Sequence, residues 1–211
     1  MIKEYYQPLK ITEALTLLAT ESGSLRVLAG GTDLLINIRN GEIGSDGIVD
    51  LSKIEELKTI ELEGNILAIG ALVTFTELAE HPLVKKLIPV LASGAEVVGS
   101  PQIRNRGTVG GNVANASPAA DLVPVLVALD GVAVIAKEGS FRKVPIAELI
   151  VGPYKTSLEP AEIITRIEVT IPQQGTSMSF HKVGRRNALA IARLNGVCLL
   201  KLQGQAIEDV S

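Results

Sequence analysis

The strongest constraint in this sequence is a pair of double glycines, Gly30-Gly31 and Gly110-Gly111, each set inside a largely apolar stretch. Glycine costs backbone entropy, and its use is a turn or a close approach that a Cβ would forbid. Around the first pair, Leu25-Arg26-Val27-Leu28-Ala29 reads as a short buried strand and residues 34–39 as a helical turn. A strand that runs into a double glycine turns successive backbone N–H groups into one concavity. Such a concavity holds an anion, usually phosphate, without a lysine. Thr32 adds a hydroxyl donor. A plain strand-to-helix turn without a ligand is an equally good reading of this fragment alone. The spacing matches neither the Rossmann nor the P-loop glycine pattern.

The second pair lies in Gln102-Ile103-Arg104-Asn105-Arg106-Gly107-Thr108-Val109-Gly110-Gly111-Asn112-Val113-Ala114-Asn115. Residues 99–117 read as a long stretch with little regular structure, too rich in Val, Ile and Ala to be a solvated linker. A buried loop must satisfy its backbone polar groups. A large polar ligand would do so, and Asn112 and Asn115, which both donate and accept, suit a nucleotide. The alternative is an Ω-loop that satisfies itself. Downstream, Asp121 opens an apolar helix, where it either complements the helix dipole or accepts from ribose hydroxyls. Arg104 and Arg106 either offset the charge of a diphosphate or are ordinary surface residues.

The chain has 211 residues, 46% hydrophobic, enough for a real core, with two histidines and one cysteine. Cys198 alone excludes an internal disulfide framework and any four-cysteine iron–sulfur or zinc site, and His81 and His181 are far apart in sequence, so no metal site is expected. The net charge of −3 lacks the basic footprint of a nucleic-acid binder. The start of the chain, with Lys3 and Glu4, does not read as a signal peptide, and the longest apolar run, residues 122–129, is broken by Pro124. No membrane span is expected, since one needs about 20 such residues. The expected setting is the cytoplasm, with Cys198 a reduced, buried thiol. No Ser–His–Asp pattern, nucleophile elbow or zinc-protease motif is present, and no general acid or base is assigned.

The remaining pattern alternates short strands with scattered helices, which is α+β rather than a βαβ series. Thr12 reads as the N-cap of a helix through residue 19, ended by Ser22-Gly23-Ser24. Residues 48–51 read as a strand, and residues 59–62 and 66–69 as a hairpin. Thr74 and Glu77 form a capping box, and one helix is expected over residues 84–98 despite Pro89. A helix over 119–129 follows, then a second hairpin over 132–144, a short helix over 146–150 and a strand over 163–171. Residues 173–176 read as a linker, with strand-like residues 178–183 and apolar residues 188–200 beyond it.

At the two glycine segments the sequence resembles the FAD-binding medium subunits of molybdenum hydroxylases, the xanthine dehydrogenase and carbon monoxide dehydrogenase type. The resemblance rests on Ala29-Gly30-Gly31-Thr32-Asp33-Leu34-Leu35 and on Gln102 through Asn112. Ser117-Pro118-Ala119-Ala120-Asp121-Leu122, Tyr154-Lys155-Thr156, Leu158-Glu159-Pro160, Phe180-His181-Lys182-Val183 and Arg185-Arg186 extend it over nearly the whole chain. It implies a two-subdomain FAD-binding fold of the vanillyl-alcohol oxidase and p-cresol methylhydroxylase (PCMH) type. The implied division is subdomain 1 over 1–53, subdomain 2 over 54–174, and the start of a truncated C-terminal flavoprotein domain over 175–211.

The resemblance also implies the cofactor contacts. Val27, Leu28, Ala29, Gly30, Gly31, Thr32, Asp33 and Leu34 would wrap the FAD diphosphate. Thr108, Val109, Gly110, Gly111 and Asn112 would contact it from the second subdomain. Asp121 would bind the ribityl or adenosine side, and Val98, Leu158 and Lys182 would line the flavin pocket. The scarcity of aromatics, 3% of residues, leaves aliphatic and main-chain groups to pack the flavin ring. In this reading electrons leave a substrate on a molybdopterin large subunit, cross clusters on an iron–sulfur small subunit, and reach NAD or another acceptor through FAD. The alternatives are a stand-alone FAD-dependent reductase or oxidase on the same fold, such as an enolpyruvyl-nucleotide reductase, and a non-catalytic docking remnant that has lost FAD.

Overall fold

The computed structural model describes residues 2–20, 25–186, 189–204 and 206–211. The chain opens with β1 (Glu4–Tyr6), α1 (Ile11–Thr20), β2 (Leu25–Leu28), α2 (Leu34–Arg39) and β3 (Gly47–Asp50). The three strands form a parallel sheet in the order β1-β3-β2. Ala14, Leu15 and Leu18, one helical face of α1, pack on it with Val49, Leu51, Ile54 and Leu57. Thr12 is not the N-cap: α1 begins one residue earlier, and the Ile11 N–H is taken by Glu56 Oε1 at 2.9 Å. A distant glutamate does the capping, which local sequence does not reveal. The stop signal at residues 22–24 lies outside the described residues.

Two 3₁₀ turns, Leu51–Lys53 and Glu55–Leu57, lead to the hairpin β4 (Ile60–Glu63) and β5 (Ile66–Gly70), whose two-residue turn has Gly64 at φ +63°. The helices α3 (Phe75–Glu80), α4 (Pro82–Leu87), α5 (Pro89–Glu96), α6 (Pro101–Arg104), α7 (Val109–Asn115) and α8 (Leu122–Ala128) follow. The capping box at Thr74 and Glu77 is present in full. The single helix expected over 84–98 is instead two helices, α4 and α5. Pro89 pushes Ile88 to φ −141° and ψ 65°, outside the helical region, and the chain restarts with proline as the first helical residue. The expected irregular stretch over 99–117 contains α6 and α7, each opened by a side-chain cap, Ser100 to the Ile103 N–H and Thr108 to the Gly111 N–H.

β6 (Val132–Lys137), β7 (Ser140–Pro145), α9 (Ile146–Leu149), β8 (Ile150–Gly152), β9 (Lys155–Thr156) and β10 (Ile163–Thr170) complete an antiparallel five-stranded sheet in the order β4-β5-β10-β6-β7, with β8 and β9 paired separately. The helices cover one face of this sheet. Leu67, Ile69, Leu91, Leu122, Leu126, Ile135 and Ile167 are among its fully buried residues. Last come β11 (Ser177–Gly184), β12 (Ala192–Gln203) and β13 (Ala206–Val210), a three-stranded antiparallel sheet. Met178, Phe180, Val197 and Leu199 dock it on the main core. Cys198, expected to be buried, is exposed, because alternation along β12 turns it away from the core beside buried Leu199. The architecture is the α+β arrangement expected.

β10 carries Arg166 and Glu168 together (residues i and i+2 of a strand). Glu168, buried, accepts from Lys143 at 2.6 Å and from Arg166 at 2.6 Å, and Arg166 also reaches Glu63 at 2.9 Å. Burial alone would raise the Glu168 carboxyl, but the bonds from Lys143 and Arg166 outweigh it and hold the group below its ordinary value. The bidentate partner Arg142 does the same to Glu162. A carboxyl lowered in the folded state stabilises the fold above its unfolded value of about 4.3 and loses that contribution as pH falls through the folded one. Urea midpoints should therefore drop as pH falls below about 4.3, and Glu168→Gln should flatten that acid slope while leaving the shape of the neutral-pH curve two-state.

Candidate cofactor site

The two glycine segments meet. At Gly30 a Cβ would stand 2.0 Å from the Arg106 carbonyl oxygen, so the arm after β2 lies directly against the backbone ahead of α7. Gly31 has φ +75°, the left-handed region that lets the chain turn from β2 into α2. Among the described residues, the backbone N–H groups of Gly31, Thr32, Asp33 and Leu34 donate to no partner within the chain. Free donors of this kind, at the start of a helix, are what an anion-binding turn uses.

The second segment is built differently. Val109 N–H donates to the Val73 carbonyl at 2.9 Å, Gly110 N–H to Ala71 at 2.9 Å, and Asn112 N–H to Thr108 at 2.9 Å. Gly111 N–H is taken by Thr108 Oγ1 at 3.1 Å. Gly110 is glycine because a Cβ would lie 2.6 Å from that of Ala71. This segment therefore offers a ligand side chains rather than amides: the Thr108 hydroxyl, which accepts from Gly111 and keeps its own proton to donate, and the Asn112 amide. Asn112 Oδ1 is buried without a partner among the described residues, an acceptor in want of a donor.

Between the arms is a cavity of about 620 Å³, within the range of small-molecule and cofactor sites. Val27, Ala29, Gly30, Gly31, Thr32, Asp33 and Leu34 line it from the first arm, and Thr108, Gly110, Gly111 and Asn112 from the second. Val98, Asp121 and Leu158 also line it. Leu28 and Val109 do not: both are buried and anchor the arms from beneath. Lys182 stands behind the wall, its Nζ 2.5 Å from Asp121 Oδ2 and 3.0 Å from the Val97 carbonyl.

Sequence reasoning missed other lining residues. Phe75 is hidden in the first turn of α3, and Tyr154, at φ +55°, belongs to a motif noted only for its resemblance. These two aromatics border the cavity alongside the expected aliphatic groups. Residues 189–191 reach it from the connection between β11 and β12. Arg104 and Arg106 do not line the cavity. Arg104 is turned to the Val98 and Gly99 carbonyls at 3.1 and 3.4 Å, which it holds in place. No lysine or arginine lines the cavity among the described residues, so an anion there is met by backbone amides.

A cavity bounded by an amide-rich turn, hydroxyl- and amide-bearing side chains and apolar walls defines a nucleotide-cofactor-binding domain. Residues 1–174 match the family described as "FAD binding domain in molybdopterin dehydrogenase", and the chain belongs to that family. Its cofactor is accordingly FAD and its class oxidoreductase. The FAD-subunit of nicotinate dehydrogenase from Eubacterium barkeri is 33% identical over 208 residues, 97% of this chain and 70% of that one. The carbon monoxide dehydrogenase medium chain of Hydrogenophaga pseudoflava is 33% identical over 87% of this chain, which spans 64% of that relative. A solved carbon monoxide dehydrogenase from Hydrogenophaga pseudoflava, lacking the Mo-pyranopterin moiety of its molybdenum cofactor, superposes with a TM-score of 0.96 at 29% identity. It covers all of this chain and 73% of its own.

The residues present fit FAD. Free amides suit its diphosphate, and the orphaned Asn112 acceptor suits its hydroxyl or N–H donors. The glycines differ in what they tolerate. Gly30→Ala forces two backbones apart and should destabilise the protein by about 1–3 kcal/mol. Gly111→Ala presses only on Thr108 Oγ1, 2.8 Å away, and should cost about 1 kcal/mol, the worth of a cap. Urea unfolding of the two variants without cofactor measures the difference.

Proposed function

We propose that this chain is the FAD-carrying medium subunit of a cytoplasmic xanthine dehydrogenase-like molybdenum hydroxylase. Its partners are an iron–sulfur small subunit and a molybdopterin large subunit, and its electron acceptor is NAD or another acceptor. The observation that carries the reading is the amide-lined first arm facing the cavity, in a chain whose single cysteine cannot hold a cluster of its own. The exposed Cys198 thiol suits a reducing compartment. FAD, when bound, supplies the redox chemistry, taking electrons from cluster donors and releasing them to the acceptor.

The chain's own residues bind and orient. Gly31, Thr32, Asp33 and Leu34 hold the diphosphate through backbone N–H groups. Thr108 and Asn112 meet hydroxyls by side chain, Asp121 accepts from the ribityl or adenosine side, and Val98 and Leu158 exclude water. Residues 1–53 and 54–174 form the two FAD-binding subdomains, and 175–211 belong to a C-terminal flavoprotein domain. Supporting this division, each of the three main sheets is built within one of these stretches.

Visible absorption of the purified chain, with released flavin identified as FAD rather than FMN, tests the binding. A colourless chain that excess FAD cannot reconstitute would overturn the reading. Gly31→Val places a β-branched residue at φ +75° and should weaken FAD binding by about tenfold or more, read by flavin fluorescence quenching. Co-purification with a molybdenum-containing subunit tests the assembly.

A further inference from the structure

Lys182 and Asn195 are register partners across β11 and β12, and both are partly buried, between the exposed pair His181 and Gly196 on one side and Val183 and Leu194 on the other. They close on one carboxylate. Lys182 Nζ is 2.5 Å from Asp121 Oδ2, and Asn195 Nδ2 donates to Asp121 Oδ1 at 3.2 Å and to the Ala120 carbonyl at 3.0 Å. Ala120 and Asp121 line the cavity, so Asn195 grips two consecutive residues of its wall.

Three observations show that this grip is more than a fastening. Asp121 stands where an N-cap of α8 would stand, yet φ −85° and ψ −33° are helical and its side chain accepts nothing from its own helix. Docking of the hairpin is already provided by Met178, Phe180, Val197 and Leu199 on the core. A buried ion pair adds little net stability over apolar residues of its size, because desolvation cancels most of the attraction. What the pair does achieve is a hydrogen-bond-accepting carboxylate, with Asp121 only 6% exposed, held at the cavity wall.

We propose that Asn195 is a positioning residue of the flavin site. With Lys182 it fixes both oxygens of Asp121, so that the remaining lone pairs face the hydroxyls of the bound cofactor, and the hairpin β11–β12 becomes part of the site. A carboxylate has about four acceptor positions, of which the two protein donors occupy only part. Lys182 alone is a flexible point charge that also bonds the Val97 carbonyl. Asn195 restrains the second oxygen and, through Ala120, the backbone that carries it.

The proposal rests on the FAD reading above, and the test separates the two. FAD affinity and the cofactor-free melting temperature are measured for the full chain, for Asn195→Ala, and for Asn195→Leu. Leucine is close to asparagine in size, so it keeps the packing of the hairpin but donates to neither Asp121 nor Ala120. Asn195→Ala should weaken FAD binding by about tenfold or more, with the melting temperature within about 4 °C of the original. Asn195→Leu should weaken FAD binding to a similar extent. Unchanged FAD affinity in Asn195→Ala, or affinity lost only in step with stability, or affinity recovered in Asn195→Leu, overturns the proposal and leaves the FAD reading standing. A parent chain that takes up no FAD overturns both.

Discussion

The site depends on one backbone pressed against another. At Gly30 the arm that leaves the parallel sheet touches the Arg106 carbonyl with no room for a methyl group, and Gly30 itself lines the cavity. It is the last of a series. Gly70, at the end of β5, lies against the Leu57 carbonyl, where a Cβ would stand 2.3 Å away, and Gly110 lies against Ala71. From the turn before the five-stranded sheet to the cavity, chain segments are stacked through glycines. Each double glycine thereby divides its work: Gly30 and Gly110 pack, while Gly31 turns the chain and Gly111 opens onto the cavity.

This stacking has a chemical consequence. Packing α7 through Gly110 engages that segment's amides in the bonds to Ala71 and Val73, just beyond β5, and to Thr108, so the segment arrives at the cavity with its donors already paired. The first arm ends a strand and begins a short helix, and its amides have no strand or helix partner to take. Two segments alike in glycine content therefore differ in polarity: one donates through its backbone, the other presents a hydroxyl and an orphaned amide oxygen. With no lysine or arginine among the described lining residues, the two arms offer a ligand chemically different surfaces.

Much of this was legible in the sequence because it is local. The hairpins at residues 60–70 and 132–145, the capping box at Thr74 and the alternation of β10 follow from short-range pattern. The glycine arms stood out because glycine in apolar sequence needs a reason. What stayed hidden depends on partners distant in sequence. Glu56 caps α1, and Ala71 and Val73 accept from the first two amides of α7, which have no partner within the helix. The break at Pro89 was legible in principle, since proline restricts the residue before it, but a continuous apolar pattern masked it. Asn195 carried no signal at all, because its role exists only once β11, β12 and α8 are assembled.

The site is consequently not coextensive with the family's shared domain. The match to the FAD-binding domain ends at residue 174, yet Lys182 and Asn195 secure the Asp121 carboxylate and residues 189–191 border the cavity. The domain supplies the backbone amides of residues 31–34, which have no partner among the described residues. The hairpin supplies the restraint on one buried charge and part of the rim. The cavity is thus built by two parts of the chain, the free backbone amides of the domain and the side chains of the hairpin that restrain its Asp121 carboxylate.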